Sequence, residues 1–410
     1  MRSYCKVWFS PVGVSTHDQR HQLRAVVAVA SPEPAAARWE LTRLRAAAAL
    51  SRVTATSGEP AWLVTRYGEA RAVLADRRFG LALPGVETVG DQTDDSLFQD
   101  PPGHTRLRRL VSAAFTPRRV AELRPRIAEL AAGLVDQMMA RRPPVDLMEA
   151  VGFPLPISVI GELLGVSTAE RESFRAWSNA LLSLPSTGGD DPGTGWGNLS
   201  AQVSDLIGRK RADPGDDLLS ALIAVRDTDA DHLSEAELVM MAITLIPAGY
   251  VTTSIGAGVG TILLTAHDQL GRLGDDPALV PGAVEEVLRY QAVAGDVARV
   301  ATKNVELAGI EISAGDKVLV SLTAANRDGR RFTDPDRFDI TRPDNAHLTF
   351  GHGIHHCLGA ALARVELQVL FTTLAARLPN LHLAVPAEKL AWQRSELFGD
   401  EWPQTIPMSW

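Results

Sequence analysis

The sequence has few cysteines, no excess of positive charge and no long apolar run near its start, and each shortage excludes a class of protein. Only Cys5 and Cys357 occur among its 410 residues, which excludes a disulfide framework and favours a reducing, cytoplasmic setting. The formal net charge is -8, and the basic residues, almost all arginine, are spread along the chain. This pattern argues against nucleic acid as the main partner. In the first 30 residues, the longest apolar stretch is residues 25–30, too short for a signal sequence or a membrane span.

The composition predicts a large, mostly helical globular protein. Hydrophobic residues make up 45% of the chain and charged residues 22%, which is enough apolar material for a sizeable core. Helical periodicity dominates, and no repeat of fixed period interrupts it. Predicted helices cover residues 36–50, 67–75, 104–115, 120–140, 155–165, 169–182, 198–211, 216–225, 234–266, 279–290 and 358–377. Predicted strands are short and cover residues 61–65, 297–301, 305–307 and 317–321.

The chain shows no composition typical of a linker between independently folding halves. Two stretches rich in Gly, Pro, Asp and Thr, residues 80–100 and 184–197, read as surface loops that commonly carry binding determinants. We therefore expect residues 36–410 to form one large domain. Residues 1–35 are expected to be an N-terminal extension, to which we assign no function.

The second cysteine lies in a glycine- and histidine-rich setting. Apolar and small residues follow Cys357 with helical spacing as far as Leu370, so this cysteine is expected at the start of a long helix. The unpaired N–H groups of a helix N-terminus stabilise a thiolate. The glycines around it would let the backbone approach a flat group closely, and Phe350 could pack on that group. These glycines are Gly351, Gly353 and Gly359.

The residues of this segment leave three interpretations open. The first is a buried free cysteine beside histidines that cap a helix. The second is a zinc site drawn from His352, His355, His356 and Cys357, although all four lie within six residues and no second ligand pair stands elsewhere. The third is a Cys-His nucleophile pair of a hydrolase, although nothing marks an oxyanion hole.

A fourth interpretation comes from resemblance. The run from Phe350 to Gly359 resembles the haem-binding signature of the cytochrome P-450 superfamily at its Phe, Gly, basic, Cys and Gly positions. The resemblance extends from about Trp39 to the C-terminus. It implies that Cys357 is the axial thiolate ligand of haem b and that Phe350, Gly351 and Gly359 line the haem. It also implies a mainly α fold with minor β: one large helical domain with small sheets, the haem lying between an oxygen-groove helix and the cysteine-bearing helix.

Two further segments fit the same family. Glu286 and Arg289 match its Glu-x-x-Arg pair, and Arg337 resembles the third member of a buried charge network that supports the fold. Residues three apart share a helix face, so the first two can pair in a fixed geometry. By family position, four cationic residues would bind the two haem propionates. They are His104, Arg108, Arg299 and His355.

The oxygen-groove helix matches the family only in part. Ala248, Gly249 and Thr252 fit the usual Ala/Gly-Gly-x-Asp/Glu-Thr pattern, and Thr253 follows as a further candidate catalytic residue. Val251 replaces the usual acid, and a valine can neither deliver nor relay a proton. Thr252, ordered water or the substrate must therefore supply the protons. Pro247 and Gly249 are expected to weaken the helical ladder and kink the helix here.

The resemblance implies an oxidoreductase that activates dioxygen with electrons from a ferredoxin or flavodoxin. Its substrate is expected to be a small aromatic or apolar natural product, and Val251 hints at oxidative coupling, forming a C–C or C–N bond, beside ordinary hydroxylation. We expect a monomer without a nucleic-acid or membrane partner. Expected pocket residues are Tyr250, Val293, Ala294, Leu397 and Phe398. Candidate arginines for docking the electron donor are Arg106, Arg109, Arg118, Arg119 and Arg364. The alternatives are a haem protein without turnover and a zinc or Cys-His hydrolase.

Overall fold

The structure is a computed structural model that describes residues 34–55, 58–81, 97–112, 115–181, 192–228, 233–293, 295–394 and 401–410. Nearly all of the expected N-terminal extension lies outside these ranges. The chain divides into two compact units, and each is assembled from separate segments. The first comprises residues 1–90, 288–357 and 396–400, and the second comprises residues 91–287, 358–395 and 401–410. The expectation of one domain over residues 36–410 stays a prediction.

Helices provide most of the regular structure. The α-helices are α1 (Pro34–Ala47), α2 (Tyr67–Ala75), α3 (Gly103–Ser112), α4 (Pro117–Met139), α5 (Pro154–Leu164), α6 (Arg171–Leu181), α7 (Pro192–Ala212), α8 (Leu218–Thr228), α9 (Glu235–Ala266), α10 (Leu270–Asp275), α11 (Val280–Tyr290), α12 (Leu322–Ala325) and α13 (Ala360–Arg377). The strands are β1 (Leu50–Thr54), β2 (Pro60–Val64), β3 (Phe79–Gly80), β4 (Val145–Asp146), β5 (Asp296–Ala301), β6 (Val305–Leu307), β7 (Ile310–Ile312), β8 (Lys317–Ser321), β9 (His382–Leu383), β10 (Trp392–Arg394), β11 (Glu401–Pro403) and β12 (Pro407–Ser409).

A five-stranded sheet forms the centre of the first unit. Its strand order is β1-β2-β8-β5-β3, with β2 and β8 parallel and the other pairs antiparallel. Apolar residues of the sheet, such as Val318 and Val320, are fully buried against the inner face of α2, which presents Val73 and Leu74. The sheet and α2 therefore share one hydrophobic core.

The long helix α9 forms the core of the second unit. Its N-terminus is fixed by a capping box in which the Ser234 and Glu237 side chains each accept a hydrogen bond from the other residue's backbone N–H, at 3.0 and 2.7 Å. The helix is long and apolar enough to cross a membrane by length and composition alone, but 67% of its most apolar window is buried inside the protein. It packs against α5, α6, α7 and α13, as expected for a central core helix.

The predicted elements largely appear where the sequence places them. The strand at residues 305–307 and the helix at residues 67–75 match their predicted bounds. The helical backbone runs unbroken from Glu235 to Ala266, so Pro247 and Gly249 do not interrupt α9. A π-helical turn at Met148–Gly152 and the short strands β9 to β12 have no counterpart in the prediction, since segments this short carry too little periodicity.

Substituting a glycine in α9 tests how tightly the core is packed. A Cβ added at Gly260 would overlap the Phe371 ring of α13 and lie 3.0 Å from Cγ1 of Val287. Phe371 is fully buried and has little room to move. We expect Gly260→Ala to lower the free energy of unfolding by about 1–3 kcal/mol, measured by urea unfolding.

Gly133 in α4 provides the matched control. It is exposed, and nothing lies within 4 Å of a Cβ added there. Gly133→Ala should raise the free energy of unfolding by about 0.4–1 kcal/mol, because alanine favours helix and restricts the unfolded chain. Equal effects of the two substitutions would contradict this account of the α9 and α13 packing.

Candidate active site

A buried asparagine anchors the loop that leads to the cysteine. Oδ1 of Asn326 accepts a hydrogen bond from the N–H of Leu348 at 2.7 Å, and its Nδ2 donates to Oγ1 of Thr349 at 2.9 Å. The hydroxyl of Thr349 in turn donates to the carbonyl of Leu288 at 2.7 Å. Asn326 is fully buried. Sequence reasoning missed it, because a single asparagine after a short helix carries no distinctive local pattern.

Arg289 ties three separate backbone segments together. Its guanidinium donates to the carbonyls of Asn326 at 3.0 Å, Pro335 at 2.8 Å and Arg337 at 3.2 Å. Arg289 and Glu286 are both fully buried, as expected for the support network. The expected role of Arg337 is not what the structure shows. Its side chain is 69% exposed, with Nη2 3.8 Å from Oδ2 of Asp339, so Arg337 contributes a backbone carbonyl rather than a buried charge.

The turn around the cysteine depends on glycine. The N–H of Cys357 donates to the carbonyl of Phe350 at 2.8 Å, which closes the turn. Gly351 and Gly353 have positive φ values of 70° and 76°, a conformation that other residues rarely adopt. A Cβ at Gly353 would also overlap the backbone carbonyl of Leu74 in α2. The first unit therefore fixes this turn sterically.

Cys357 lies at the end of this turn. The thiol is exposed, and α13 begins three residues later at Ala360 with Gly359 as its N-cap. Nothing lies within 4 Å of a Cβ added at Gly359, so the approach to the backbone is open there. Phe350 and His355 are half-buried in the same loop. An exposed thiol, open glycine backbone and an aromatic ring are features that fit a flat group with a metal centre.

The residues expected at the haem propionates divide between the two units. In the second unit, His104 and Arg108 lie one turn apart on α3, and His104 is only 3% exposed. Burial, with the positive charge of Arg108, lowers the pKa of His104. In the first unit, Arg299 is buried on β5 and donates to the carbonyl of Ala298 at 2.8 Å.

One face of α9 stays accessible in the middle of an otherwise buried helix. Ala248 and Thr252 are exposed, and Gly249 is half-buried. The hydroxyl of Thr252 donates to the Ala248 carbonyl at 2.7 Å, an i to i-4 bond that leaves its oxygen lone pairs available. Val251 and Thr253 are each 5% exposed and lie away from this face. The structure thus groups three of the four expected catalytic residues and separates Thr253 from them.

The structure describes only two of the five residues expected to line the substrate pocket. Tyr250 is fully buried, with its ring 6.0 Å from the Phe153 ring, and does not share the accessible face of Ala248 and Thr252. This burial contradicts its expected role as a pocket wall. Burial also raises the pKa of the Tyr250 hydroxyl. Val293 is half-buried in the first unit. Ala294, Leu397 and Phe398 lie outside the described residues.

Most of the arginines considered for docking an electron donor already have acidic partners. Arg364 forms a bidentate ion pair with Glu285, at 2.7 and 2.9 Å. Arg106 pairs with Glu237, Arg118 with Glu122 and Arg119 with Asp216. Arg106 and Arg109 also line an open surface pocket with Pro101, Pro102 and Thr105. The local positive charge is therefore smaller than the number of arginines suggests.

The zinc alternative finds no support in the geometry. Within the part of the chain that the structure describes, no group of three His, Cys, Asp or Glu side chains is arranged to hold a metal ion. The four clustered residues around Cys357 therefore do not form a zinc site of the usual four-ligand kind.

Comparison with known proteins decides between the remaining interpretations. The profile of the family Cytochrome P450 matches residues 278–380, which include the Arg289 network and the cysteine turn. The mycinamicin IV hydroxylase/epoxidase of Micromonospora griseorubida is 45% identical over 369 residues, covering 88% of this chain and 92% of that protein. The chain belongs to the cytochrome P450 family. It is accordingly an oxidoreductase, a monooxygenase whose cofactor is haem with a cysteine thiolate ligand.

Other P450 relatives show how broad the chemistry of this group is. The nocardicin C N-oxygenase of Nocardia uniformis subsp. tsuyamanensis is 41% identical, covering 90% of this chain and 94% of that protein. A solved structure described as that of a thioether synthase, SgvP, of the tailoring step of griseoviridin superposes with a TM-score of 0.84 at 40% identity. That superposition covers 90% of this chain and 95% of SgvP. The mainly helical fold with small sheets is the one that P450 structures share.

A buried acid on α13 was not anticipated from the sequence. Glu366 is 3% exposed, and within the described residues its Oε2 has no hydrogen-bond partner. Burial raises the pKa of this carboxyl well above its ordinary value. Its position in the pattern L-A-R-V-E-L-Q gave no signal, because glutamate is usually exposed in helices.

Removing the Arg289 guanidinium should destabilise this P450 strongly. Arg289→Ala leaves three buried carbonyls without donors and removes a buried charge, so we expect a loss of about 3–5 kcal/mol in the free energy of unfolding. Haem content per chain, measured by absorbance, should fall with it. Arg337→Ala is the matched control, and its exposed pair should change stability by less than about 1 kcal/mol. Comparable losses of unfolding free energy in both variants would contradict the conclusion that the buried Arg289 guanidinium stabilises the fold.

Replacing Glu366 by glutamine should change how stability depends on pH. The raised pKa in the folded state means that the neutral carboxyl contributes fully below the unfolded pKa, and this contribution is lost as pH rises towards the folded pKa. Glu366→Gln stays neutral and lacks this loss. Its free energy of unfolding relative to wild type should therefore rise with pH above about 4.3, by at most about 1.4 kcal/mol per unit. Thermal unfolding across this range measures the difference.

The exposed Glu388 supplies the control for this experiment. Glu388→Gln should leave the pH dependence of stability unchanged, since this exposed side chain stays in water when the chain folds. A flat difference between Glu366→Gln and wild type would show that Glu366 is ionised in the folded protein.

Proposed function

We propose that this P450 oxidises a small apolar or aromatic natural product of secondary metabolism, using haem b held through Cys357. The observation that carries the proposal is the cysteine turn, in which the Phe350 carbonyl, two glycines with positive φ and the contact with α2 fix an exposed thiol. A structural cysteine has no need of such presentation, since free cysteines are usually buried.

The residues of the chain suit the haem group in charge as well as in shape. Cys357 would ligate the iron, Phe350, Gly351 and Gly359 would line the macrocycle, and the propionates would be neutralised by four cationic residues. These are His104, Arg108, Arg299 and His355. When bound, haem supplies the chemistry of dioxygen activation, and the thiolate donates electron density that favours O–O cleavage.

The accessible face of α9 would handle oxygen and protons. Ala248 and Gly249 are small enough to leave room beside the helix, and the Thr252 oxygen can accept a hydrogen bond while its hydroxyl is held by the Ala248 carbonyl. Val251 is buried and cannot relay a proton, so water or substrate must provide the donors.

Hydroxylation is the reaction we expect first. The relatives support a natural-product substrate, because they include a hydroxylase/epoxidase of mycinamicin IV and an N-oxygenase of nocardicin C. Oxidative coupling is a second candidate, favoured by the buried Val251 and by the likeness to SgvP, which is described as a thioether synthase. A substrate with its own N–H or O–H group would suit either reaction, since it could supply a proton.

The electron donor would be a small acidic ferredoxin or a flavodoxin. We propose that the protein acts as a monomer in the cytoplasm, with no nucleic acid or membrane partner. The partial neutralisation of Arg106, Arg118, Arg119 and Arg364 by carboxylates leaves a weak patch, so docking should depend only moderately on salt.

Replacing the ligand cysteine tests the proposal directly. Purified wild type should be red, and its reduced form should give the family's red-shifted Soret band with carbon monoxide. Cys357→Ser should lose this band, because a serine hydroxyl does not supply a thiolate. Cys5→Ser, the matched control at the other cysteine, should keep it. A colourless wild type with bound zinc, or a Cys357→Ser variant with the intact band, would refute thiolate ligation, and electron-dependent product formation would distinguish an enzyme from a carrier.

A further inference from the structure

The accessible face of α9 continues from Thr252 back to the start of the helix. Residues about one turn apart on this line are exposed or half-buried: Ala236, Ala248 and Thr252 are exposed, and Met240 and Thr244 are half-buried. Their neighbours Ile243, Leu245, Ile246 and Pro247 are buried. An accessible line thus leads from the beginning of α9 to the middle of the buried helix.

Thr244 differs from four other hydroxyl residues of α9. The hydroxyls of Thr252, Ser254, Thr261 and Thr265 each donate to a carbonyl one turn earlier, at 2.7 to 2.9 Å. Thr253 is 5% exposed and lies off the accessible line. Thr244 is half-buried on that line, and its hydroxyl makes no hydrogen bond to any residue that the structure describes. Its hydroxyl is therefore available to water.

Pro247 leaves a hydrogen-bond acceptor available beside Thr244. A proline has no N–H, so the carbonyl of Ile243 loses the helical donor that residue i+4 normally provides. This carbonyl lies on the residue next to Thr244. A bound water needs at least two polar partners, and the Thr244 hydroxyl with the Ile243 carbonyl would provide them.

The spacing suits a chain of hydrogen bonds. Thr244 and Thr252 are eight residues apart, or about 12 Å along the helix axis, and each turn advances about 5.4 Å. A water that bridges two oxygens spans about 5.5 Å, since each O–H···O distance is about 2.8 Å. Five such O···O steps, through about four waters, would connect the two hydroxyls past Ala248.

We propose that Thr244 and the Ile243 carbonyl freed by Pro247 hold the first water of a chain that brings protons from solvent to Thr252, in place of an acid at position 251. This inference rests on the proposed monooxygenase function. Reduction of dioxygen consumes protons in both outcomes: two electrons and two protons give hydrogen peroxide, or one oxygen atom enters the substrate and the other leaves as water. The electrons come from the ferredoxin or flavodoxin, and the protons come from bulk water along α9. Thr244 is a positioning residue, because it acts through water and Thr252.

The test uses dioxygen itself as the probe, with a surrogate ferredoxin, its reductase and NADPH. Thr244→Val keeps the shape of the side chain but removes the hydroxyl, and it should slow oxygen consumption by on the order of tenfold while increasing the solvent deuterium isotope effect. Thr244→Ser should restore both. Pro247→Ala, which returns an N–H to the Ile243 carbonyl, should act in the same direction as Thr244→Val.

Thr265→Val is the matched control, since that hydroxyl lies on the same helix and is engaged with the Thr261 carbonyl at 2.9 Å. It should leave the oxygen consumption and the isotope effect at wild-type values. Folding and haem loading are checked by the reduced carbon monoxide spectrum, which all four variants should share. Absence of this spectrum in wild type would overturn the proposed function itself. If the spectrum is intact, a change in oxygen consumption reports on proton delivery and not on haem binding.

A second readout does not depend on turnover. Crystals of the wild-type protein should show an ordered water within hydrogen-bond distance of both the Thr244 hydroxyl and the Ile243 carbonyl, and Thr244→Val crystals should lack it. The inference is overturned if that water is absent from wild type, or if Thr244→Val consumes oxygen at the wild-type rate with an unchanged isotope effect.

Discussion

The hydrogen bonds that converge on Arg289 and Asn326 fix the loop that presents the cysteine. Asn326 accepts from Leu348 and donates to Thr349, only eight residues before the ligand, while Arg289 holds the Asn326 carbonyl from the opposite side. All of these groups are buried, so each bond replaces water that is no longer accessible. A thiolate can be held in one position only if the preceding backbone cannot move, and this network supplies that constraint.

The second unit must keep the apolar helix α9 out of water. A helix that is apolar all round can be kept in water only if it is surrounded by other helices, and α9 is so surrounded except along one line. The proposed handling of oxygen and protons uses that exception. Small residues at positions 248 and 249 and the hydroxyls of Thr244 and Thr252 lie on or beside it, while the residue that replaces the family's acid, Val251, lies in the core. In the proposed mechanism, protons must therefore come from a source other than residue 251.

Buried ionisable groups in this P450 have different consequences according to their partners. Arg289 is surrounded by backbone carbonyls, which stabilise its charge, whereas Glu366 has an oxygen without a described partner, and burial favours its neutral form. Burial and the neighbouring positive charge of Arg108 both lower the pKa of His104. Carbonyl acceptors surround the Arg289 guanidinium, whereas burial favours the neutral forms of Glu366 and His104.

The sequence alone predicted the family and most of the long elements, because these depend on local order: five signature positions around Cys357 and sustained helical periodicity. It also located the departure at Val251. Only the tertiary structure decided which face each residue occupies and which distant groups meet. It placed Tyr250 in the core, turned the Arg337 side chain to solvent, and joined Arg289, Asn326 and Thr349, which lie far apart in the chain. Contacts of this kind depend on how the segments pack, and neither spacing nor residue type records that in a single sequence.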